Sequence, residues 1–180
     1  MQALVRPLAE HHALFDLTAG HRAMSDVHAI HCAEDFARLL ADPHTPRELL
    51  VSVSASREVW LDVLTQHPYA AVWVAVNRHL PDEIVEHLAA HPGIQVRAAL
   101  ASNSRVRDDL MMGLAHDKSE LIRLRVVCNA HVSREVLVAL TNDPCQLVST
   151  RAQARLVHDI SGVSLPPSYL DQIEVLSLLH

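Results

Sequence analysis

The sequence reads as all-α, a solenoid of short helical repeats about 24–26 residues long, and three observations lead there. The stretch from His91 to Asp117, moved along by 26 residues, falls onto Asp117 to Asp143 with its apolar positions, its Asn and its final acid in step. A unit this short cannot bury its own apolar face, so neighbouring units must stack on one another. The apolar class makes up 49% of the chain and is dominated by Ala, Val and Leu, with aromatics at 3%; this implies close packing of small and branched side chains. Four glycines in 180 residues leave little material for hairpins or phosphate-cradling loops, which need positive backbone angles.

Residues 1–27 are expected to form an N-terminal helical cap, 28–156 the repeat array and 157–180 a C-terminal capping helix, all within one domain. Gln2 to Phe15 has Leu4, Leu8, His11, His12 and Phe15 near helical spacing, with Pro7 close to the start, and Leu17 to Gly20 ends that helix. The array begins in mid-unit, because His28 to Pro43 aligns with Asn77 to Pro92. Units close on Asp42, His67, His91, Asp117 and Asp143, and Pro follows four of these five, as Pro43, Pro68, Pro92 and Pro144. Pro disfavours helical geometry in the residue before it yet suits the first turn of a new helix, so this pair ends one helix and starts the next.

A second anchor falls at Ser52, Asn77, Asn103 and Asn129. Asn tolerates left-handed backbone and bonds its side chain to nearby main-chain groups, which suits a turn between two short helices. The two early units are two residues shorter from Pro to this anchor than the His91 unit, so their first helices should be shorter. After the anchor come amphipathic sets: Val59, Trp60 and Leu64; Ile84, Val85 and Leu88; Leu110, Met111 and Leu114; Val136, Leu137 and Leu140. Each makes one buried stripe on a helix of about ten residues. Acids open these helices, as at Asp82-Glu83, Asp108-Asp109 and Glu135, where they meet the positive end of the helix dipole. Beyond Pro144 the unit drifts: Val148, Ala152 and Arg155 are in place but the Asn is missing. Leu165 to His180 reads as one more helix, burying Leu170, Ile173 and Leu176 over the last open face.

The unit D/H-P-x-x-x-V-R-x-x-x-A-x-N-x-x-x-P-x-E-L-x-x-L-A resembles the leucine-rich repeat variant. His91, Pro92, Val96, Arg97, Ala101, Asn103, Leu110 and Leu114 match it, as do Asp117, Ile122, Arg123, Asn129, Glu135, Val136 and Leu140, and Pro81, Glu83, Ile84 and Leu88 supply a second half-unit. The resemblance spans roughly residues 28–156 and implies a right-handed solenoid of alternating α- and short 3₁₀-type helices in a bacterial protein. Its motif is structural and implies no activity. Some members add a Cys-ligated iron–sulfur cluster at the N-terminus; with only Cys32 there, that feature is not carried over. HEAT-like repeats are the nearest alternative architecture.

Composition narrows function. A net charge of -6 opposes nucleic acid as a general partner, because affinity for phosphate backbones comes mainly from Lys and Arg. Residues 1–66 carry 5 basic and 9 acidic groups while residues 67–142 carry 8 of each, so the N-terminal third is the acidic part. The start has no long apolar core of a signal peptide and no stretch approaches about 18 apolar residues, so no membrane association and a cytoplasmic location are expected. Cys32, Cys128 and Cys145 form no C-x-x-C pair, which argues against a disulfide framework or closed zinc site. Of the 14 histidines, His67 and His91 occupy a repeat anchor; His11, His12, His21, His28 and His31 with Cys32 are the set that zinc chemistry would use, but without a matching second pair no metal or other cofactor is expected.

No nucleophile motif, Gly-rich loop or small-molecule site is evident. The expected function is therefore a non-enzymatic scaffold that binds another protein, an adaptor or an immunity or antitoxin-type protein, with a nucleic-acid-binding repeat protein or a metal- or redox-associated repeat protein as alternatives. Arg97 and Arg123, at equivalent positions of successive units, with Arg105, Arg107, Arg125 and Trp73, are the candidate partner-binding residues. The competing reading pairs the arginines with Asp108, Asp109 and Glu120 and puts Trp60 and Trp73 in the core.

Overall fold

The computed structural model describes residues 29–161. The expected N-terminal cap and residues 162–180 of the expected C-terminal helix lie outside them. Within these bounds the chain is all-α: α1 Ala33–Ala41, α2 Arg47–Leu50, α3 Arg57–Gln66, a 3₁₀ turn Pro68–Ala70 running into α4 Ala71–Ala75, α5 Asp82–Ala89, α6 Ile94–Ala101, α7 Asp108–Ala115, α8 Glu120–Cys128, α9 Arg134–Leu140 and α10 Gln146–Ser161. The described residues hold no strand, only one isolated parallel bridge between Ala29 and Ser54. As the spacing predicts, the first helices of the early units, α2 and α4, have four and five residues against eight and nine in α6 and α8. α10 continues through Ser161, across the boundary expected at residue 156.

Helices of the same kind pack on one another. α4, α6, α8 and α10 contact in series, as do α3, α5, α7 and α9, and α1 lies on α3. Counting back from each Asn anchor explains the first row. The position seven before it is Ala70, Val96, Ile122 and Val148, the position three before it is Val74, Leu100, Val126 and Ala152, and all eight are buried. Here Arg155 occupies the anchor position of the last unit, 26 residues after Asn129. In the second row Ile84, Leu88, Met111, Leu114, Val136, Leu137 and Leu140 are buried, while Leu110 is only half-buried. α3 departs from expectation: Val63, not Leu64, is buried beside Trp60. Trp60 meets Phe36 of α1 edge to face, with ring centroids 5.2 Å apart, which fixes α1 against the next unit. Each of the buried Val, Leu, Ile and Met side chains contributes roughly 1.5–3 kcal/mol relative to solvent exposure.

Candidate interaction surface

What holds one unit to the next is a ladder of Asn side chains. Asn103 Nδ2 donates to the carbonyls of Ala75 (2.9 Å) and Asn77 (2.8 Å). Asn129 repeats this on Ala101 and Asn103 (2.9 and 3.2 Å), and Asn77 on Leu50 and Val53 (3.1 and 2.9 Å). Each Oδ1 accepts from the backbone N–H two residues on, at His79, Arg105 and His131. All three Asn are buried, and every polar atom of the amide is used, which is the condition for burying one. At Asn129 left-handed backbone is not the reason for Asn, since φ is -68° and ψ 120°. Arg155 closes the ladder, its guanidinium donating to the carbonyls of Val127 (2.7 Å) and Asn129 (2.6 Å). Sequence reasoning finds only a missing Asn there, although the 26-residue spacing marks the rung.

The two arginines expected to lead an exposed basic column are instead staples inside the stack. Arg97 is 6% exposed. It grips Asp117 with Nε and a terminal nitrogen (2.7 and 3.2 Å) and caps the carbonyls of His91 and Pro92 (2.6 and 3.0 Å). Arg123 does the same with Asp143 (2.6 and 3.0 Å) and the Asp117 carbonyl (2.8 Å). Their carboxylate partners are thus the unit-closing acids and not Asp108, Asp109 or Glu120. Burial acts to raise the Asp117 pKa, but the hydrogen bonds from Arg97 and the Ser119 N–H, with the charges of Arg97 and Lys118, leave it lowered. The Arg123 hydrogen bond holds Asp143 below its ordinary value, and Asp143 raises Arg123 in return. Such side-on, bidentate pairs use the planar fork that Lys lacks.

The remaining candidates do not converge on one place. Arg105 is exposed in the turn before α7. Arg107 bridges units on the second-helix side, reaching Asp82 (2.7 Å) and Glu86 (3.1 Å) of α5 and Asp109 (3.0 Å) of α7. Arg125 and Trp73 lie half-buried on the outward side of the first-helix row, each four residues before its anchor Asn, and the Arg47 guanidinium covers the Trp73 ring at 5.2 Å. Trp60 is in the core, fully buried.

The histidines at the anchor serve geometry. Asp42, Asp117 and Asp143 each accept from the N–H two residues on (2.8–2.9 Å), and His91 Nδ1 takes that role for Gly93 at 3.0 Å. His67 turns instead toward Tyr69 Oη and Glu34, both at 3.4 Å. His11, His12, His21 and His28 lie outside the described residues; His31 and Cys32 are exposed. Among the described residues no three His, Cys, Asp or Glu side chains gather as a ligand set. A cleft of about 330 Å³ between Ala29–His31 and Ser54–Val59 offers one imidazole and two hydroxyls, of which the Ser56 Oγ already accepts from Val59 N–H. No helix among the described residues is long and apolar enough to cross a membrane. No protein-family profile, curated protein or solved structure matches the chain.

Proposed function

We propose that this chain is a non-enzymatic scaffold that binds another protein, built as a right-handed α-solenoid of the leucine-rich repeat variant type and acting in the cytoplasm. The observation that carries the reading is the Asn ladder, in which Asn103 and Asn129 each tie their unit to the one before it at equivalent backbone carbonyls. A constant register lines up equivalent outward residues from unit to unit, and an array of that kind presents an extended surface rather than a pocket. One feature that goes with the family resemblance is the Pro68–Ala70 3₁₀ turn leading into α4, the one 3₁₀ element among the described residues. The wide spacing of Cys32, Cys128 and Cys145 in the sequence supports a reducing compartment.

The experiment is affinity capture from the native host with the full chain as bait, followed by mass spectrometry and reconstitution of the complex from purified components. A single protein recovered in near-equal amount is the expected result. Measurable turnover of a substrate by the purified chain would reject the scaffold class.

A further inference from the structure

The two faces of the array differ in chemistry. Its second helices carry exposed carboxylates throughout: Glu58 and Asp62 on α3, Asp82, Glu83 and Glu86 on α5, Asp108 and Asp109 on α7, and Glu135 on α9. From α4 onward the first-helix row is nearly free of them, since α4, α6, α8 and α10 through Val157 contain a single acid, Glu120, although the earlier first helix α2 carries Glu48. The row's outward positions, four and eight residues before the anchor, hold Trp73 and Tyr69, Arg125 and Leu121, and Arg151 and Leu147, while in the Asn103 unit they hold Ala99, which is buried, and Gln95, which is exposed. Tyr69, Ile94, Leu147 and Val157, between 43% and 65% exposed, are the large apolar side chains left in solvent on this row among the described residues.

Arg125 and Arg151 stand at equivalent positions of α8 and α10, which pack on each other in the register set by Asn129 and Arg155. Two cations are therefore held on adjacent helices, whose axes in packed pairs lie about 8–10 Å apart. Among the described residues neither makes an ion pair, in contrast to Arg97, Arg107 and Arg123. Like charges stacked in this way repel, and nothing inside the fold requires them: the staples and the ladder are complete without either side chain. In a chain of net charge -6, two adjacent cations without an ion-pair partner among the described residues attract carboxylates from outside.

We propose that the outward side of the first-helix row, from Trp73 to Arg151, is the docking face, and that its occupant is an acidic, apolar-faced segment of a partner protein. Carboxylates of that segment pair with Arg125 and Arg151, and apolar side chains lie against Trp73, Tyr69 and Leu121. The inference rests on the scaffold reading and names its surface and the chemistry of its partner. It also relocates the recognition charge, because Arg97 and Arg123 are consumed inside the stack and the free pair is Arg125 with Arg151.

The test is selection of a displayed random-peptide library against the immobilised full chain, followed by titration of the enriched peptides. Enriched sequences should combine Asp or Glu with Leu, Ile or Phe, and binding should shift the fluorescence of half-exposed Trp73. Affinity should fall about tenfold or more in the R125E/R151E double variant, stay unchanged in R105E, and return when the peptide carboxylates are exchanged for lysines against the double variant. Peptides without an acidic bias, or binding that survives R125E/R151E in a variant whose melting is unchanged, would overturn the assignment. A host protein captured equally by wild type and by R125E/R151E would overturn this face while leaving the scaffold standing; capture of nothing, with no peptide enriched, would reject both. Enrichment of an acidic segment of this same chain would identify a second copy as the occupant and overturn the proposal of a separate partner.

Discussion

At the scale of the residue, two positions show how one substitution in the repeat forces another. Where the anchor is His91 rather than Asp, its ring must lie over the backbone N–H at residue 93, and a Cβ there would stand 3.1 Å from Nδ1 and 3.2 Å from Cε1. Glycine leaves that room. Gly93→Ala should therefore cost about 1 kcal/mol, the worth of a helix-start cap, and should be harmless in a His91→Asp background, where the smaller side chain caps as in the later units; denaturant midpoints of the four proteins check this, and an equal cost in both backgrounds would refute it. The Arg97–Asp117 and Arg123–Asp143 staples give a pH dependence. Both carboxyls sit below their ordinary value of 3.8 in the folded chain. Their contribution is thus fully present above that value and is lost as pH falls through the lowered folded values. Melting temperature should drop steeply below about pH 4, and Asp143→Asn should be destabilised near neutrality by about 3–5 kcal/mol with a flatter acid limb. Undiminished acid sensitivity in that variant would place the titrating groups elsewhere. Reversing Arg97 and Arg123, the leading partner-binding candidates in the sequence, would not spare the fold, because each reversal puts a carboxylate against Asp117 or Asp143 in a buried site. The sequence marked these arginines as equivalent but carried no sign of burial, because an Arg on a repeat column looks the same whether its carboxylate partner lies across the stack or on another protein.

At the scale of the element, helix and turn were legible because periodicity and punctuation agreed. The i, i+1, i+4 sets placed α5 and α9 on their buried faces, and the Pro-to-Asn count anticipated the short α2 and α4. What the pattern could not show is which side of a first helix faces out: α6 is apolar almost all round, and six of its eight residues are buried. The ladder supplies the missing direction, and it too can be tested. Asn103→Ala would leave the carbonyls of Ala75 and Asn77 and the Arg105 N–H without partners in a buried turn. A loss of about 1–3 kcal/mol is expected for each uncompensated group, larger than for any exposed substitution on the same turn. Leu114, 3% exposed in the column of Leu88 and Leu140, should cost about 2–5 kcal/mol on truncation to Ala, against little for Arg105→Ala. Thermal melts of the three variants rank them, and an Arg105→Ala loss equal to that of Leu114→Ala would break the register.

At the scale of the whole molecule, the array is not uniform along its length, and its local stability should follow. In the solenoid proposed above, stacked repeats contact only their neighbours, so stability behaves as a sum of unit and interface contributions and opening can begin wherever these are weakest. The N-terminal units are the poorer ones. Ser52 stands in the Asn place, with its hydroxyl bonded back to the Glu48 carbonyl (2.6 Å) rather than across to another unit. α2 and α4 are four and five residues long, and Ala71 occupies the position that Arg97 and Arg123 fill later, so among the described residues the α2 and α4 units have no guanidinium staple. From α6 to α8 the opposite holds, with long first helices, Asn rungs on both sides and a buried Arg–Asp pair in each unit. Native-state hydrogen exchange should then show the slowest amides in α6, α7 and α8, with α2 and α4 opening at a free energy lower by about 3 kcal/mol or more, the cost of breaking one such pair. Asp117→Asn should erase most of that difference by speeding exchange in α6 and α8 while leaving α2 and α4 unaffected, as expected if the staples rather than mere distance from the ends create the gradient. Equal opening free energies along the wild-type chain would mean that the units fold as one cooperative block, and the nearest-neighbour description would fail.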